Sequence, residues 1–126
     1  MSMKIKIETP NAPKATNFYS QAIESNGFVF VAGQLHMTTE GKMIEGTTEE
    51  KVAQIMKNCE AILKRAGVDF RDVVKVTVFV TEMKEMKQLN ETYATYFPEP
   101  APAREAICVK ALPLGASIEI SMIAEK

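Results

Sequence analysis

The segment from Val73 to Val80, VVKVTVFV, constrains the fold more than any other stretch of the chain. Its even positions are all valine, whereas its odd positions mix apolar residues with Lys75 and Thr77. Successive side chains of a β-strand point to opposite faces, so this pattern predicts a strand with one fully apolar face. The valine face needs a covering layer, and the mixed face is typical of a subunit interface.

Two amphipathic helices are predicted, one on each side of this strand in the sequence, and they can supply that layer. The first is capped by Thr47 or Thr48 and ends at Gly67. Its apolar side chains recur at steps of three and four: Val52, Ile55, Met56, Cys59, Ile62 and Leu63. The second helix is predicted from about Met83 to Phe97, where closely spaced prolines forbid its continuation.

The remaining strands follow from alternation and from turn residues. Met3 to Glu8 alternates apolar and polar residues, and a short strand begins near Ala22. The dipeptide Asn26-Gly27 predicts a tight hairpin into a third strand from Phe28 to Gly33, because both central positions of such a turn need positive φ. Two further strands follow the second helix. The order βββαβαββ predicts one two-layer α+β domain over residues 1–126, with both helices on one face of a mixed six-stranded sheet.

Composition and charge argue against several classes of protein. The chain has 126 residues, of which 46% are hydrophobic, and a formal net charge of -1, so it lacks the basic excess that attracts nucleic acid or an anionic membrane. The N-terminal segment alternates lysines with apolar residues, which predicts neither a signal peptide nor a membrane span and makes the cytoplasm the expected location. Cys59 and Cys108 lie far apart without metal-ligand spacing, which predicts free thiols.

The last two predicted strands each carry one charged residue of interest. Ile107 and Val109 share one parity, and Arg104 has the other. In the final strand Ile118 belongs to the apolar parity, and Glu119 to the opposite one. If both apolar parities pack against the same helices, Arg104 and Glu119 project from the same side of the sheet.

These two residue types suit chemistry on a small organic acid. A guanidinium can grip a carboxylate at two points, and a partly buried carboxylate with a raised pKa can hold a water molecule and move a proton. The residues alone leave open a structural salt bridge for Arg104, for example to Glu105, and a merely solvent-facing Glu119. His36 has no nucleophile or ligand set near it in the sequence, so neither a catalytic triad nor a metal site is predicted.

Five stretches of the chain match one family pattern. They are Pro102-Ala103-Arg104 with Ile107, Lys110 and Leu112; Ile118-Glu119-Ile120; Ala32-Gly33-Gln34; the strand VVKVTVFV; and Leu89-Asn90-Glu91-Thr92-Tyr93. Together they resemble the Rid family, also called the YjgF or L-PSP family. The resemblance implies a chorismate-mutase-like domain that forms homotrimers, with sheet faces inward and a site in each cleft between neighbours.

The resemblance also implies an activity, the hydrolysis of 2-imino acids or their enamine tautomers to 2-oxo acids and ammonia. The substrates would be of the 2-iminobutanoate and 2-iminopropanoate type, and no metal or organic cofactor would be needed. Arg104 would bind the substrate carboxylate, and Glu119 would position the attacking water or pass a proton. Weaker matches would border the substrate: Tyr19, Ala32, Gly33, Asn90 and Ala106.

Three positions within the matched stretches depart from the family pattern. Ala32 stands where many relatives have serine, and Ala106 where many have cysteine. The cysteine position is thought to act through its main-chain carbonyl, so alanine is compatible with hydrolysis there. Glu105 places a negative charge beside Arg104, which puts the carboxylate site in question.

Two other functions stay open on the sequence. A trimeric small-molecule-binding or chaperone-like module would use the same clefts without turnover. RNA cleavage or translational inhibition, an old label attached to some relatives, is disfavoured by the net charge and by the lack of a histidine pair in the sequence.

Overall fold

The computed structural model describes residues 3–126, which form a six-stranded mixed sheet with two α-helices. The elements are β1 (Ile5–Ile7), β2 (Ala22–Ser25), β3 (Phe28–Leu35), α1 (Thr48–Arg65), β4 (Val73–Val80), α2 (Met86–Ala94), β5 (Ala103–Cys108) and β6 (Ile118–Glu125). The strand order is β1-β2-β3-β6-β4-β5, and only β4 and β5 are parallel among the described pairs. The predicted α+β class and the order βββαβαββ are confirmed.

Both predicted helices are present, and their ends have local causes. Thr47 caps α1 through a capping box, in which its hydroxyl accepts from the Glu50 N–H at 3.1 Å and the Glu50 carboxylate accepts from the Thr47 N–H at 2.8 Å. The α1 helix is followed by Gly67 at φ 86°, a conformation that favours glycine. The second helix is shorter than predicted, because the segment Met83–Glu85 forms a 3₁₀ turn before it.

The hydrophobic core lies between the helices and one face of the sheet. It includes Val76, Val78 and Val80 of β4, all fully buried. Val74 was expected among them, but this expectation is wrong, since Val74 is 42% exposed and Val73 is buried instead. The pairing of β4 with β6 shifts register between Val73 and Lys75, and this bulge reverses the alternation at the start of the strand.

The other face of the sheet, called the open face below, has no covering layer within the described chain. Its side chains are partly or largely exposed and mix apolar with polar groups: Ile23, Phe28, Phe30, Leu35, Lys75, Thr77, Phe79, Glu105, Ile107, Glu119, Ser121 and Ile123. None of the helices within residues 3–126 combines the length and the apolar character needed to cross a bilayer.

Candidate active site

Glu119 lies on the open face near the start of β6. Its neighbours in the sheet are Leu35 of β3 and Phe79 of β4. The side chain is half-buried among these strands, and this burial raises the pKa of the carboxyl group above its usual value. Glu119 therefore holds its proton more readily than an exposed glutamate, as a group that both accepts and returns a proton requires.

Gly33 makes room for this carboxylate. The ladder between β3 and β6 shifts register between Val31 and Gln34, so that Ala32 and Gly33 form a bulge. A β-carbon built on Gly33 would overlap the Glu119 carboxylate. The φ of Gly33 lies outside the left-handed region, so what favours glycine here is the close approach of the Glu119 side chain, whose flexible end a β-carbon would displace.

A cavity of about 520 Å³ opens beside this pair. Its lining residues come from the loop before β2, from the end of β3 and from the turn before β6: Pro13, Thr16, Tyr19, Gln21, Ala32, Gly33, Gln34, Leu35, Met37, Pro113, Leu114 and Glu119. The structure thus brings together four residues singled out in the sequence, namely Tyr19, Ala32, Gly33 and Glu119. Arg104, Asn90 and Ala106 do not line this cavity.

The loop that carries Tyr19 is held by Gln21, a residue that the sequence reasoning missed. The Gln21 side chain is buried; its Oε1 accepts from the Thr9 N–H at 2.7 Å, and its Nε2 donates to the carbonyls of Thr9 at 3.1 Å and Pro13 at 2.8 Å. Both the oxygen and the nitrogen of this amide form hydrogen bonds with main-chain groups of the loop. These bonds fix one wall of the cavity. A single glutamine next to a short strand gives no sequence signal for such a role.

Arg104 occupies the opposite face of the sheet. The parallel register pairs it with Val76 of β4, whose side chain lies in the core beneath the helices. Its guanidinium donates to Asn90 Oδ1 of α2 at 2.8 Å and lies 4.9 Å from the centre of the Tyr93 ring. Asn90 therefore positions the arginine, and the side chain remains exposed at the edge of the domain.

The expectation that Arg104 and Glu119 project from one side of the sheet is wrong. It assumed that Ile107 packs against the helices, whereas Ile107 pairs with Phe79 on the open face and is 42% exposed. Since β5 is an edge strand, its helix-side position can accept a long charged side chain that reaches Asn90 and Tyr93. Within one chain, the two residues cannot face a common cleft.

Glu105 does not pair with Arg104, although the two are adjacent. Its carboxylate lies on the open face, 3.4 Å from Lys75 Nζ and 3.0 Å from Thr77 Oγ1. Adjacent residues of a strand point to opposite faces, so the charge of Glu105 is directed away from the guanidinium. Within the chain, therefore, Glu105 does not form the salt bridge with Arg104 that the sequence left open.

His36 is a buried residue, and both nitrogens of its ring are engaged in hydrogen bonds. Its Nδ1 lies 2.8 Å from the Ile44 carbonyl, and its Nε2 accepts from the Ser117 N–H at 3.0 Å. The ring is therefore neutral with its proton on Nδ1, and burial lowers its pKa. By holding Ser117, His36 connects the end of β3 to the start of β6, the two segments that carry Gly33 and Glu119.

The sequence model of the family described as Endoribonuclease L-PSP matches residues 9–126 of the chain. Among characterised sequences, the chain is 41% identical over 119 residues to the 2-iminobutanoate/2-iminopropanoate deaminase of Mus musculus, covering 94% of this chain and 88% of the mouse protein.

Solved structures share the whole fold. A putative endoribonuclease from Thermotoga maritima superposes with a TM-score of 0.95 at 44% identity, covering 98% of both chains. The E. coli protein TdcF, solved with bound serine, superposes with a TM-score of 0.90 at 30% identity, covering 97% of this chain and 98% of TdcF. The likeness therefore extends over nearly the entire chain.

Proposed function

The chain belongs to the endoribonuclease L-PSP family, also called the Rid or YjgF family, and from this membership we propose that it hydrolyses 2-imino acids and their enamine tautomers to 2-oxo acids and ammonia. The observation that carries the proposal is the half-buried Glu119 carboxylate, with its raised pKa, in a cavity beside Gly33. The name of the mouse relative specifies this reaction for that protein.

Glu119 performs both proton transfers in the proposed reaction. Water attacks the electrophilic carbon of the protonated imine, and Glu119 accepts a proton from that water as the carbon–oxygen bond forms. The product is a tetrahedral carbinolamine. Glu119 then returns the proton to the nitrogen. As the carbon–nitrogen bond breaks and ammonia leaves with its bonding electrons, an electron pair of the hydroxyl oxygen forms the carbonyl bond and the hydroxyl proton passes to solvent. A carboxyl group whose pKa is raised towards the working pH suits both steps.

Arg104 of a neighbouring copy supplies the carboxylate-binding group in this proposal. Within one chain Arg104 and Glu119 lie on opposite faces of the sheet, so a site that uses both needs two chains. Arg104 and Ala106 lie on the same face of β5, two residues apart. The Arg104 side chain and the main-chain carbonyl of Ala106 would therefore enter the same cleft. Asn90 would hold the guanidinium in place, as it does here.

The open face is the surface that we propose to be covered by the other copies. It exposes Phe28, Phe30 and Ile107, large apolar side chains that a subunit interface would remove from water. Its polar groups include the Glu105 carboxylate, which is already paired with Lys75. Burial of this face would therefore not leave the carboxylate without a partner of opposite charge. We propose a homotrimer, the assembly implied by the family resemblance, acting in the cytoplasm.

The test is the release of ammonia and 2-oxobutanoate from threonine in the presence of a PLP-dependent threonine dehydratase. We expect the chain to accelerate release above the spontaneous rate, and Glu119→Gln to lose this acceleration. Glu125→Gln is the matched control, because Glu125 lies at the far end of the same strand and does not line the cavity. A folded chain that gives no acceleration, yet binds 2-oxobutanoate, would instead support a binding module without turnover.

RNA cleavage, the activity in the family's description, is the second candidate and is less well supported. The only histidine of the sequence is fully buried with both ring nitrogens engaged, so it cannot exchange protons with a bound strand. The net charge of -1 offers little attraction for phosphate backbones. RNA degradation that persists in Arg104→Ala and disappears on further purification would identify a contaminant.

A further inference from the structure

Leu114 has an unusual backbone conformation for a leucine. Its φ and ψ are 56° and 26°, in the left-handed region that residues with a β-carbon rarely adopt. Its side chain is 73% exposed, yet it lines the cavity that contains Glu119. Strained, exposed apolar residues persist where the surrounding structure imposes them, and they cluster at ligand sites.

The turn that presents Leu114 is held from both ends. Pro113 precedes it and accepts from the Ala116 N–H at 3.1 Å through its carbonyl. Ala116 itself is buried, and the next N–H, that of Ser117, donates to His36 Nε2 at 3.0 Å. The leucine is therefore fixed at the rim of the cavity by a tight, anchored turn.

Apolar groups also form the neighbouring wall. Leu35 pairs with Glu119 across the β3–β6 ladder, and Met37 continues the same wall. The two amides that line the cavity, Gln21 and Gln34, already donate to main-chain carbonyls, those of Thr9 and Pro13 for Gln21 and that of Ala32 for Gln34. A substrate side chain placed against this wall would meet methyl and thioether groups, which favour an aliphatic chain over a carboxylate that would lose its hydration there.

We propose that Leu114, Leu35 and Met37 form a subsite for an aliphatic substrate side chain, so that 2-imino acids with five or six carbons are preferred over the three-carbon homologue and over polar analogues. This inference rests on the proposed imine hydrolysis. Each methylene buried in an apolar pocket is worth about tenfold in kcat/KM. The ratio of kcat/KM for the five-carbon over the three-carbon substrate is therefore the quantity that reports the subsite.

The experiment generates imines in situ from alanine, norvaline, leucine and aspartate with an L-amino-acid oxidase and catalase, and follows their loss in the presence of the full chain. The decisive variant is Leu114→Asn, since asparagine tolerates the left-handed region and keeps the turn while removing the apolar surface. Met83→Asn is the control, because Met83 is an exposed apolar residue that does not line the cavity. Circular dichroism of each variant establishes that it is folded.

We expect the native chain to favour the norvaline-derived and leucine-derived imines by at least about tenfold over the alanine-derived one. Leu114→Asn should lower that ratio about tenfold, and Met83→Asn should leave it at the native value. A folded Leu114→Asn with the native ratio, or a native chain that favours the alanine-derived or aspartate-derived imine, overturns the subsite while imine hydrolysis stands. A native chain that hydrolyses none of the four overturns the proposed function itself.

Discussion

Gly33 and Glu119 compete for the same space: a β-carbon on Gly33 would lie within the Glu119 carboxylate. The glycine belongs to a bulge in β3, and the glutamate to the adjacent strand β6. The position of the candidate catalytic group thus depends on the absence of a side chain one strand away. This dependence can be tested without changing the glutamate.

Gly33→Ala should lower kcat by about tenfold to a hundredfold, because the carboxylate must move and a misplacement of about 1 Å can cost that much. Gly46→Ala is the matched control, since a β-carbon there would overlap the Glu50 carboxylate of the α1 capping box, and neither Gly46 nor Glu50 lines the cavity. That variant should lose about 1 kcal/mol of stability with kcat retained. Equal losses of kcat in both variants would refute the dependence.

Mixing two inactive variants tests whether the site is shared between chains. Arg104→Ala and Glu119→Gln should each lose activity by about 10²-fold or more. After co-refolding at equal amounts, chance pairing in a closed ring leaves both native residues in about one quarter of the clefts. Activity should therefore recover to about one quarter of the native value. No recovery in mixed oligomers would place both groups in one chain.

Glu119→Gln should raise the stability of the fold at neutral pH. Burial raises the pKa of Glu119 above the ordinary value of 4.5, so the folded state disfavours the charged form. The stabilising contribution of this group is present below pH 4.5 and is lost as the pH rises through the raised pKa. The Tm of the variant should exceed that of the native chain at pH 7.5, and the gap should close near pH 4. A gap of the same size at both pH values would contradict this assignment.

His36→Gln should show the opposite pH dependence. Burial is the main cause that lowers the pKa of His36; nearby Lys51 lowers it further, whereas the Ile44 carbonyl, Glu45 and Glu85 oppose the shift. The contribution of neutral His36 to stability is thus present above pH 6.5 and is lost as the pH falls through the lowered pKa.

Denaturant unfolding measures this contribution. At pH 7.5 the His36→Gln variant should be less stable by about 1–3 kcal/mol, the cost of leaving a buried partner unsatisfied. The difference should shrink as the pH falls through the lowered pKa of His36, because the protonated ring of the native chain can no longer accept the hydrogen bond from Ser117. A difference independent of pH would assign the loss to packing alone.

Most of the fold could be predicted from the sequence because several local signals agree. The helix capped at Thr47 and ended before Gly67 combines a capping box, a period of three to four and a glycine stop. The hairpin at Asn26-Gly27 has positive φ at both positions, as the dipeptide predicts. Each of these features is set by residues that are close together in the sequence, so the sequence alone is enough to predict it.

The wrong predictions concern residues whose orientation is set by contacts with residues distant in the sequence. Val74 is exposed because a bulge against β6 shifts β4 by one residue, and no glycine marks that bulge. Arg104 faces α2 because Asn90 and Tyr93 offer a hydrogen bond and a ring to its guanidinium. On an edge strand with few apolar residues, alternation alone does not say which face is buried. The gathering of Tyr19, Ala32, Gly33 and Glu119 was predicted only through the family resemblance.

The placement of Arg104 and Glu119 on opposite faces of one sheet has a consequence for how the protein would behave on dilution. If turnover needs one residue from each of two chains, specific activity should fall with subunit concentration while each chain is still folded. An assay at nanomolar enzyme would then measure an association equilibrium as well as a rate, and the amount of protein in the cell would set both.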